Sequence, residues 1–240
     1  MAGKSAPDCR YPQVGVSIVA YRPEAETLLR LLAALAGQVG AVFLVDNGEA
    51  ATRLAAIDGG LGALDGGVVV IDGGGNLGVA AGHNLALTRI FGAGCSHALL
   101  FDQDSLPQGD MIGELLRVEQ GLLDGCHDIA AIGPQVIAQE DGRHAGFVRF
   151  SGLRPSIRFD ADADQPVLAS RCDFLITSGT LLRREVFERV GPFAEGLFID
   201  NVDIEWCYRA ASVGYGCYGA VSARMLHSLG DRLMAVPFTR

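Results

Sequence analysis

Asp102 and Asp104 close an apolar run, Leu99-Leu100-Phe101, with one residue between the two carboxylates. A hard divalent cation takes oxygen ligands and keeps places for phosphate oxygens, and two carboxylates converging from one turn can hold it. A solvated acidic turn is the plainer reading of an isolated Asp-x-Asp. Further along, Asp200, Asp203 and Glu205 lie beside Phe198, Ile204 and Trp206. A carboxylate against apolar and aromatic walls gains proton affinity, which suits a general base. The alternative is a solvated helix face on which Glu205 and Arg209 form an i,i+4 pair. At 3.6 residues per turn Asp203 lies about 200° round from Glu205. Asp203 therefore has no partner in its own helix and is the candidate base. His227, after Met225-Leu226, is the candidate third donor to an acidic cation site. His83, His97, His127 and His144 have no such context and read as structural or surface residues.

A second set of residues suits a nucleotide. Gly73-x-Gly75-x-x-Gly78 follows an apolar run and opens a helical one, the formal pattern in which backbone N–H groups at a helix start face a pyrophosphate. It sits on the third strand instead of the first, and no acidic residue other than the Asp102/Asp104 pair stands at the end of the next strand. The chain also carries 32 glycines, so the match reads as a glycine-rich turn beside a nucleotide more than as a dinucleotide site. Asp46-Asn47 is either a turn or an Asp accepting from a pyrimidine N–H. Asn76 and Asn84 straddle the start of the helix, where they could flank a ribose or phosphate, or Asn76 could cap the helix.

The elements that must position these groups are legible as blocks. Val14 to Tyr21, Ala41 to Val45, Val68 to Ile71 and Ala98 to Phe101 are short, nearly unbroken apolar runs and predict strands. Between them Glu24 to Leu35, Ala50 to Ile57 and Leu77 to Phe91 predict helices, the first stopped by Gly37. This alternation means a parallel sheet covered on both faces, with ligands outside the carboxyl ends of the strands. After Asp104 the rhythm changes. Met111 to Leu123 predicts a helix, Ile129 to Ala138 a strand, and Glu140 to Pro166 a hairpin or flap over the site. Phe174 to Thr177 predicts a strand entering Ser178-Gly179-Thr180, and Arg184 to Val190 and Asn201 to Ser212 predict helices.

At 240 residues the chain has room for one large α/β domain with a sizeable core, or at most two small ones. It is 49% hydrophobic and 20% charged, which is a globular composition. A net charge of −9 argues against a general nucleic-acid or anionic-membrane surface, while leaving room for a local basic patch. Six cysteines without a C-x-x-C pair fit reduced, mostly buried thiols in a cytoplasmic protein. No signal peptide or membrane-spanning stretch is expected.

The motifs also carry a resemblance. VDN at 45–47, NLGVAAGHN at 76–84, FDQDS at 101–105, SGTLLRREVF at 178–187 and FIDNVDIEWCYR at 198–209 occur in the order and spacing of family-2 glycosyltransferases. They resemble the bacterial L-rhamnosyltransferases most, over nearly the whole chain. The resemblance implies the GT-A fold: a single α/β domain with a Rossmann-like, mostly parallel sheet and helices on both faces. It implies a nucleotide-sugar-binding half over about 12–105 and an acceptor and catalytic half over about 106–230. It implies a nucleotide-sugar donor (dTDP-L-rhamnose or a UDP-sugar), a divalent Mg²⁺ or Mn²⁺, and a glycan or lipid-linked acceptor. Asp46, Asn47, Tyr21 and Gln103 would lie on the base and nucleotide side, with Asn76, Gly78 and Asn84. Ser178-Gly179 would line the sugar site, Asp102, Asp104 and His227 would hold the metal, and Asp203 would be the catalytic base of an inverting transfer. Family chains continue into helices that touch the membrane, so peripheral attachment to the inner face of the plasma membrane through a C-terminal part absent from these 240 residues is expected. Two readings compete: nucleotidyl transfer, which wants a basic phosphate loop where Val19 to Pro23 offers only Arg22, and an inactive nucleotide-sugar-binding domain.

Overall fold

The computed structural model describes residues 9–57, 62, 67–163 and 167–228. The first strand, β1 (Tyr11–Tyr21), leads to α1 (Ala25–Leu35), β2 (Val39–Gly48), α2 (Ala50–Ala55), β3 (Val68–Asp72), α3 (Gly78–Gly92) and β4 (His97–Asp102). β1 pairs in parallel with both β2 and β4, and β2 pairs in parallel with β3. The four apolar blocks of the sequence are therefore parallel neighbours in one sheet, with β3 at its edge. α1 starts where it does because the Glu24 carboxylate accepts from the N–H groups of Glu26 and Thr27, an N-cap arrangement. Its Leu28, Leu31, Leu32 and Leu35 are fully buried.

The second part of the chain adds β5 (Leu106–Gln108), α4 (Met111–Asp124), β6 (Ile129–Ala138), β7 (His144–Ala145), β8 (Phe147–Ser151), β9 (Arg154–Arg158), β10 (Ala169–Cys172), β11 (Leu181–Arg183), α5 (Arg184–Val190), α6 (Val202–Ser212) and β12 (Gly216–His227). The main sheet runs β10-β12-β6-β11-β4-β1-β2-β3. β11 is antiparallel to both β4 and β6, and β12 is parallel to β6. Thus β3, β2, β1, β4, β6 and β12 all point one way, and Asp46, Asp72, Asp102 and His227 come to the same edge. The expected mostly parallel sheet is present, with β10, β11 and the short β5 and β7 as its reversed members. β8 and β9 form a separate two-stranded ribbon within the expected hairpin segment.

Two apolar layers sandwich the sheet. Val16, Ile18, Leu44, Leu99 and Phe101 face α1, α2 and α4, while Val19, Phe43, Val45 and Leu100 face α3, α5 and α6. This alternation along β1, β2 and β4 is the side-chain period of two at work on a sheet buried on both faces. Trp206 of α6 is 1% exposed, and its indole N–H donates to the Gly191 carbonyl at 2.9 Å. Among the described residues no helix is long and apolar enough to cross a membrane.

Two expectations about elements are corrected. Phe174 to Thr177 is not a strand: the Thr177 N–H donates to a carboxylate oxygen of Asp203 at 3.0 Å instead of a ladder. The segment joins the sheet only at Gly179 and Thr180, which bond to Leu100. Conversely, residues 216–227 form a long interior strand that the sequence reading left unassigned. Its small residues serve close packing; the Phe147 ring lies where a side chain at Gly219 would go.

Candidate active site

A cleft of about 360 Å³ opens at the carboxyl edge of the parallel strands. The structure brings Tyr21, Asn47, Asn76, Gly78, Asp102, Gln103, Asp104 and His227 to its walls, together with Ile199. Six of these eight sit at or just past the end of a strand. The other two, Asn76 and Gly78, begin α3. The Gln103 side chain accepts from the Tyr21 N–H at 2.8 Å, which ties the ends of β1 and β4. The Asn47 amide, 2% exposed, donates to the Gly78 carbonyl at 3.0 Å, and its buried Oδ1 has no partner among the described residues.

The acidic turn is supported from below. Ser178 Oγ accepts from the Asp102 N–H at 3.0 Å and lies 2.6 Å from Ser105 Oγ. Ser105 Oγ in turn lies 2.8 Å from His227 Nδ1. His227 Nδ1 is 3.6 Å from the Asp104 carboxylate. Burial raises the Asp102 carboxyl to about 6, the imidazole of His227 pulls it down, and the like charges of Asp104 and Asp203 push it up. Among the described residues no Lys or Arg lines the cleft, and Arg22, next to Tyr21, is committed to Glu49 at 2.9 Å. A compact negative site without a protein cation of its own is the chemistry a divalent ion would satisfy. The residues fit such an ion, although among the described residues no three His, Cys, Asp or Glu side chains are already drawn into liganding geometry. With Nδ1 engaged by Ser105, His227 would offer Nε2, oriented by its hydroxyl partner.

Asp203 enters from the first turn of α6, outside the residues that line the cleft but near enough for its charge to act on Asp102. It is not without partners, as the helix geometry alone suggested: Oδ2 accepts from Thr177 N–H and Oδ1 from Ile204 N–H at 2.8 Å. A carboxylate has about four lone-pair positions, so two remain for a proton. Glu205 is the structural member of the pair. It forms a two-pronged ion pair with Arg209, at 2.7 and 2.9 Å. Arg209 also donates to the Val190 and Pro192 carbonyls. The Arg209 hydrogen bond holds the Glu205 carboxyl below its ordinary value, with burial opposing, so the aromatic surroundings do not make it a base. Asp200 is exposed.

Four residues expected on the nucleotide or sugar side are not among those that line the cleft. Asp46 is absent from the cleft lining; its oxygens accept from the N–H groups of Gly48, Ala50 and Ala51 and hold the start of α2. Asn84 is turned to residues 193–195, accepting from Phe193 N–H and donating to the Phe193 carbonyl and the Glu195 carboxylate. Ser178 is fully buried and acts beneath Asp102 rather than on the cleft surface. Gly179 is equally interior, since a Cβ there would come within 2.6 Å of the Pro134 ring. The N–H groups at the start of α3 are also not free for a pyrophosphate. The Phe198 carbonyl accepts from Val79 at 2.7 Å and from Ala80 at 3.3 Å. Gly78 permits this approach: its φ is +80°, and a Cβ would lie 2.5 Å from that same oxygen. Phe198, with φ +60°, makes this contact through its backbone carbonyl, a role that its place as an aromatic neighbour of the acidic residues did not reveal.

Comparison with known proteins gives consistent relatives. No protein-family model matches the chain. A curated relative, dTDP-rhamnosyl transferase RfbF of Shigella flexneri, is 30% identical over 224 residues, covering 91% of this chain and 70% of the relative. Among solved structures, GalNAc-T7 with UDP, GalNAc and Mn²⁺ superposes with a TM-score of 0.65 at 14% identity. That match covers 90% of this chain and 43% of GalNAc-T7. S. aureus TarS superposes with a TM-score of 0.62 at 15% identity, over 90% of this chain and 36% of TarS. The chain thus spans less than half the length of these two structural neighbours, whose likeness is one of fold.

Proposed function

The chain belongs to the dTDP-rhamnosyl transferase family of GT-A glycosyltransferases, and on that premise we propose that it transfers L-rhamnose from dTDP-L-rhamnose to a hydroxyl of a glycan or lipid-linked acceptor, with inversion at the anomeric carbon. The observation that carries the reading is the meeting of Asp102, Asp104 and His227 in one cleft at the carboxyl edge of the strands, with Asp203 of α6 near enough for its charge to act on Asp102, where burial is the larger effect.

In this reading Tyr21, Asn47, Asn76 and Gln103 contact the nucleotide, and Asp102, Asp104 and Nε2 of His227 hold Mg²⁺ or Mn²⁺. When bound, the cation neutralises the charge that develops on the departing diphosphate. Ser178 and Ser105 position the carboxylate turn and the imidazole. Asp203, its orientation fixed by the N–H groups of Thr177 and Ile204, removes the proton of the acceptor hydroxyl as that oxygen bonds to the anomeric carbon. The carbon passes through an oxocarbenium-like state. One base and one displacement from the opposite face invert the configuration.

The test is binding before turnover. Titration calorimetry is expected to show Mn²⁺ strengthening dTDP affinity in the unaltered chain and not in Asp102→Asn/Asp104→Asn. A thermal-shift panel of nucleotide-sugars is expected to rank dTDP-L-rhamnose first. Equal metal dependence in both proteins, or a preference for UDP-glucose, would overturn the reading.

A further inference from the structure

The β8–β9 ribbon is two-faced. Residues directly opposite in an antiparallel pair share a face. Its pairs are Phe147 with Arg158, Val148 with Ile157, Arg149 with Ser156, Phe150 with Pro155 and Ser151 with Arg154. One face therefore carries Arg149, Arg154 and Arg158, all exposed, beyond the buried Phe147. The other carries Val148, Phe150, Pro155 and Ile157. On that second face Phe150 is 40% and Ile157 59% exposed, and Leu153 at the turn is 97% exposed. A solvated turn favours Gly, Asn, Asp or Ser; a fully exposed leucine there has no folded-state partner to explain it.

The charge is as uneven as the hydrophobicity. The chain has a net charge of −9, yet residues 143–159 contain Arg143, Arg149, Arg154 and Arg158 and no Asp or Glu. Among the described residues Arg143 pairs with Asp141, while Arg149, Arg154 and Arg158 have no ion pair. Asp160 and Asp162 lie at the root of the ribbon, and Asp162 accepts from the Arg171 N–H. The ribbon grows from β7, which pairs with the last turn of β6 at Val136 and Ile137, so it leaves the body at the edge that carries the cleft.

We propose that this ribbon docks on a bilayer containing anionic phospholipid, with Leu153, Phe150 and Ile157 entering the interface and the arginines reaching the head-group phosphates. An amphipathic element with arginine on its polar face lies in the interfacial plane in this way, and long basic side chains reach up to the phosphates. Charge complementarity selects this occupant: the chain as a whole is acidic, whereas the ribbon presents three exposed arginines without an ion pair among the described residues, so an anionic surface is met at the ribbon and the cleft is oriented by it. A polysaccharide would satisfy the arginines and leave the apolar face unexplained. The ribbon's outer edge is bonded to Asp173, through Phe150 N–H to its carboxylate and Asp173 N–H to the Val148 carbonyl. Asp173 immediately precedes the segment whose Thr177 holds Asp203.

Vesicle flotation tests the proposal. The chain is expected to float with phosphatidylcholine vesicles that contain phosphatidylglycerol and not with phosphatidylcholine alone. Arg149→Gln/Arg154→Gln/Arg158→Gln is expected to weaken binding about fivefold for each arginine removed. Leu153→Asp is expected to abolish it, with melting temperature and nucleotide affinity unchanged, because that side chain touches nothing. Failure to float with anionic vesicles, or floating that Leu153→Asp leaves unaltered, overturns the proposal. So does a concentration-dependent dimer in sedimentation that Leu153→Asp dissolves, which would mean that a second copy covers the face.

Discussion

The region from β1 to β4 and the region from β5 to β12 reach the same cleft by different means. In the first, four parallel strands end at one edge, and each delivers its polar residues there by continuing one or two positions past its apolar run. Asp102 and Asp104 are in place because β4 stops there. In the second, strands of both directions are combined with a ribbon and loops, and Asp203 is in place because a backbone N–H 26 residues earlier in the chain holds it. A site built on strand ends depends on the sheet as a whole, whereas a site built on a single loop-to-helix bond depends on a few named contacts.

Substitutions can sharpen this contrast, beginning with the largest effect. Asp203→Asn is expected to lower turnover about 10²–10⁴-fold with donor affinity little changed, the usual loss for a general base. Asp200→Asn is expected to leave turnover near normal; the reverse pattern in a kcat and Kd comparison would put the base three residues away. Next, Gly78→Ala at the seam between the two regions combines a left-handed backbone with a blocked approach. It is expected to cost about 2–5 kcal/mol in denaturant unfolding. Gly74→Ala, also left-handed with φ +69° but with open space around it, is expected to cost only about 1–2 kcal/mol.

Asn84→Ala strips three hydrogen bonds from residues 193–195 and is expected to cost about 1–3 kcal/mol of stability without altering dTDP affinity. A loss of nucleotide binding would return Asn84 to the cleft. A pH slope gives the mildest change per step. His83 is fully buried beside Ser17, 2.7 Å from its Oγ, and burial lowers the imidazole to about 3. Its folded value is depressed, so between the ordinary value near 6.5 and about 3 the unfolded chain binds a proton that the fold refuses. Stability is therefore lost as the pH is lowered through that window, by up to about 1.4 kcal/mol per unit. Ser17→Ala/His83→Leu is expected to flatten this part of the melting-temperature profile.

What was legible in the sequence follows the same division. The four apolar runs before Asp104, the Glu24-initiated helix and the Glu205–Arg209 pair all rest on local periodicity, and they were read with small boundary differences. Asp46 and Asn84 look like ligand groups in a linear motif, but their side chains are taken up by α2 and by residues 193–195, which spacing does not reveal. Phe174 to Thr177 has strand chemistry and loses its ladder to a distant carboxylate. β12 has the opposite character. Gly216, Gly219, Ala220, Ser222 and Ala223 carry little strand propensity, and they suit the position because neighbours pack against them on both sides.

The place of β12 sets an order of assembly. It is the last described strand in the chain yet lies between β10 and β6 in the sheet, so during synthesis the edge of β6 stays unpaired until residues 216–227 emerge. An open strand edge of that kind is a template for wrong partners, and closing it requires contacts far apart in sequence, which form slowly. The bond between Ser105 and His227 spans 122 positions. The carboxylate turn is thus made early and its imidazole arrives late, which makes the contact between Ser105 and His227 a marker that the sheet has closed.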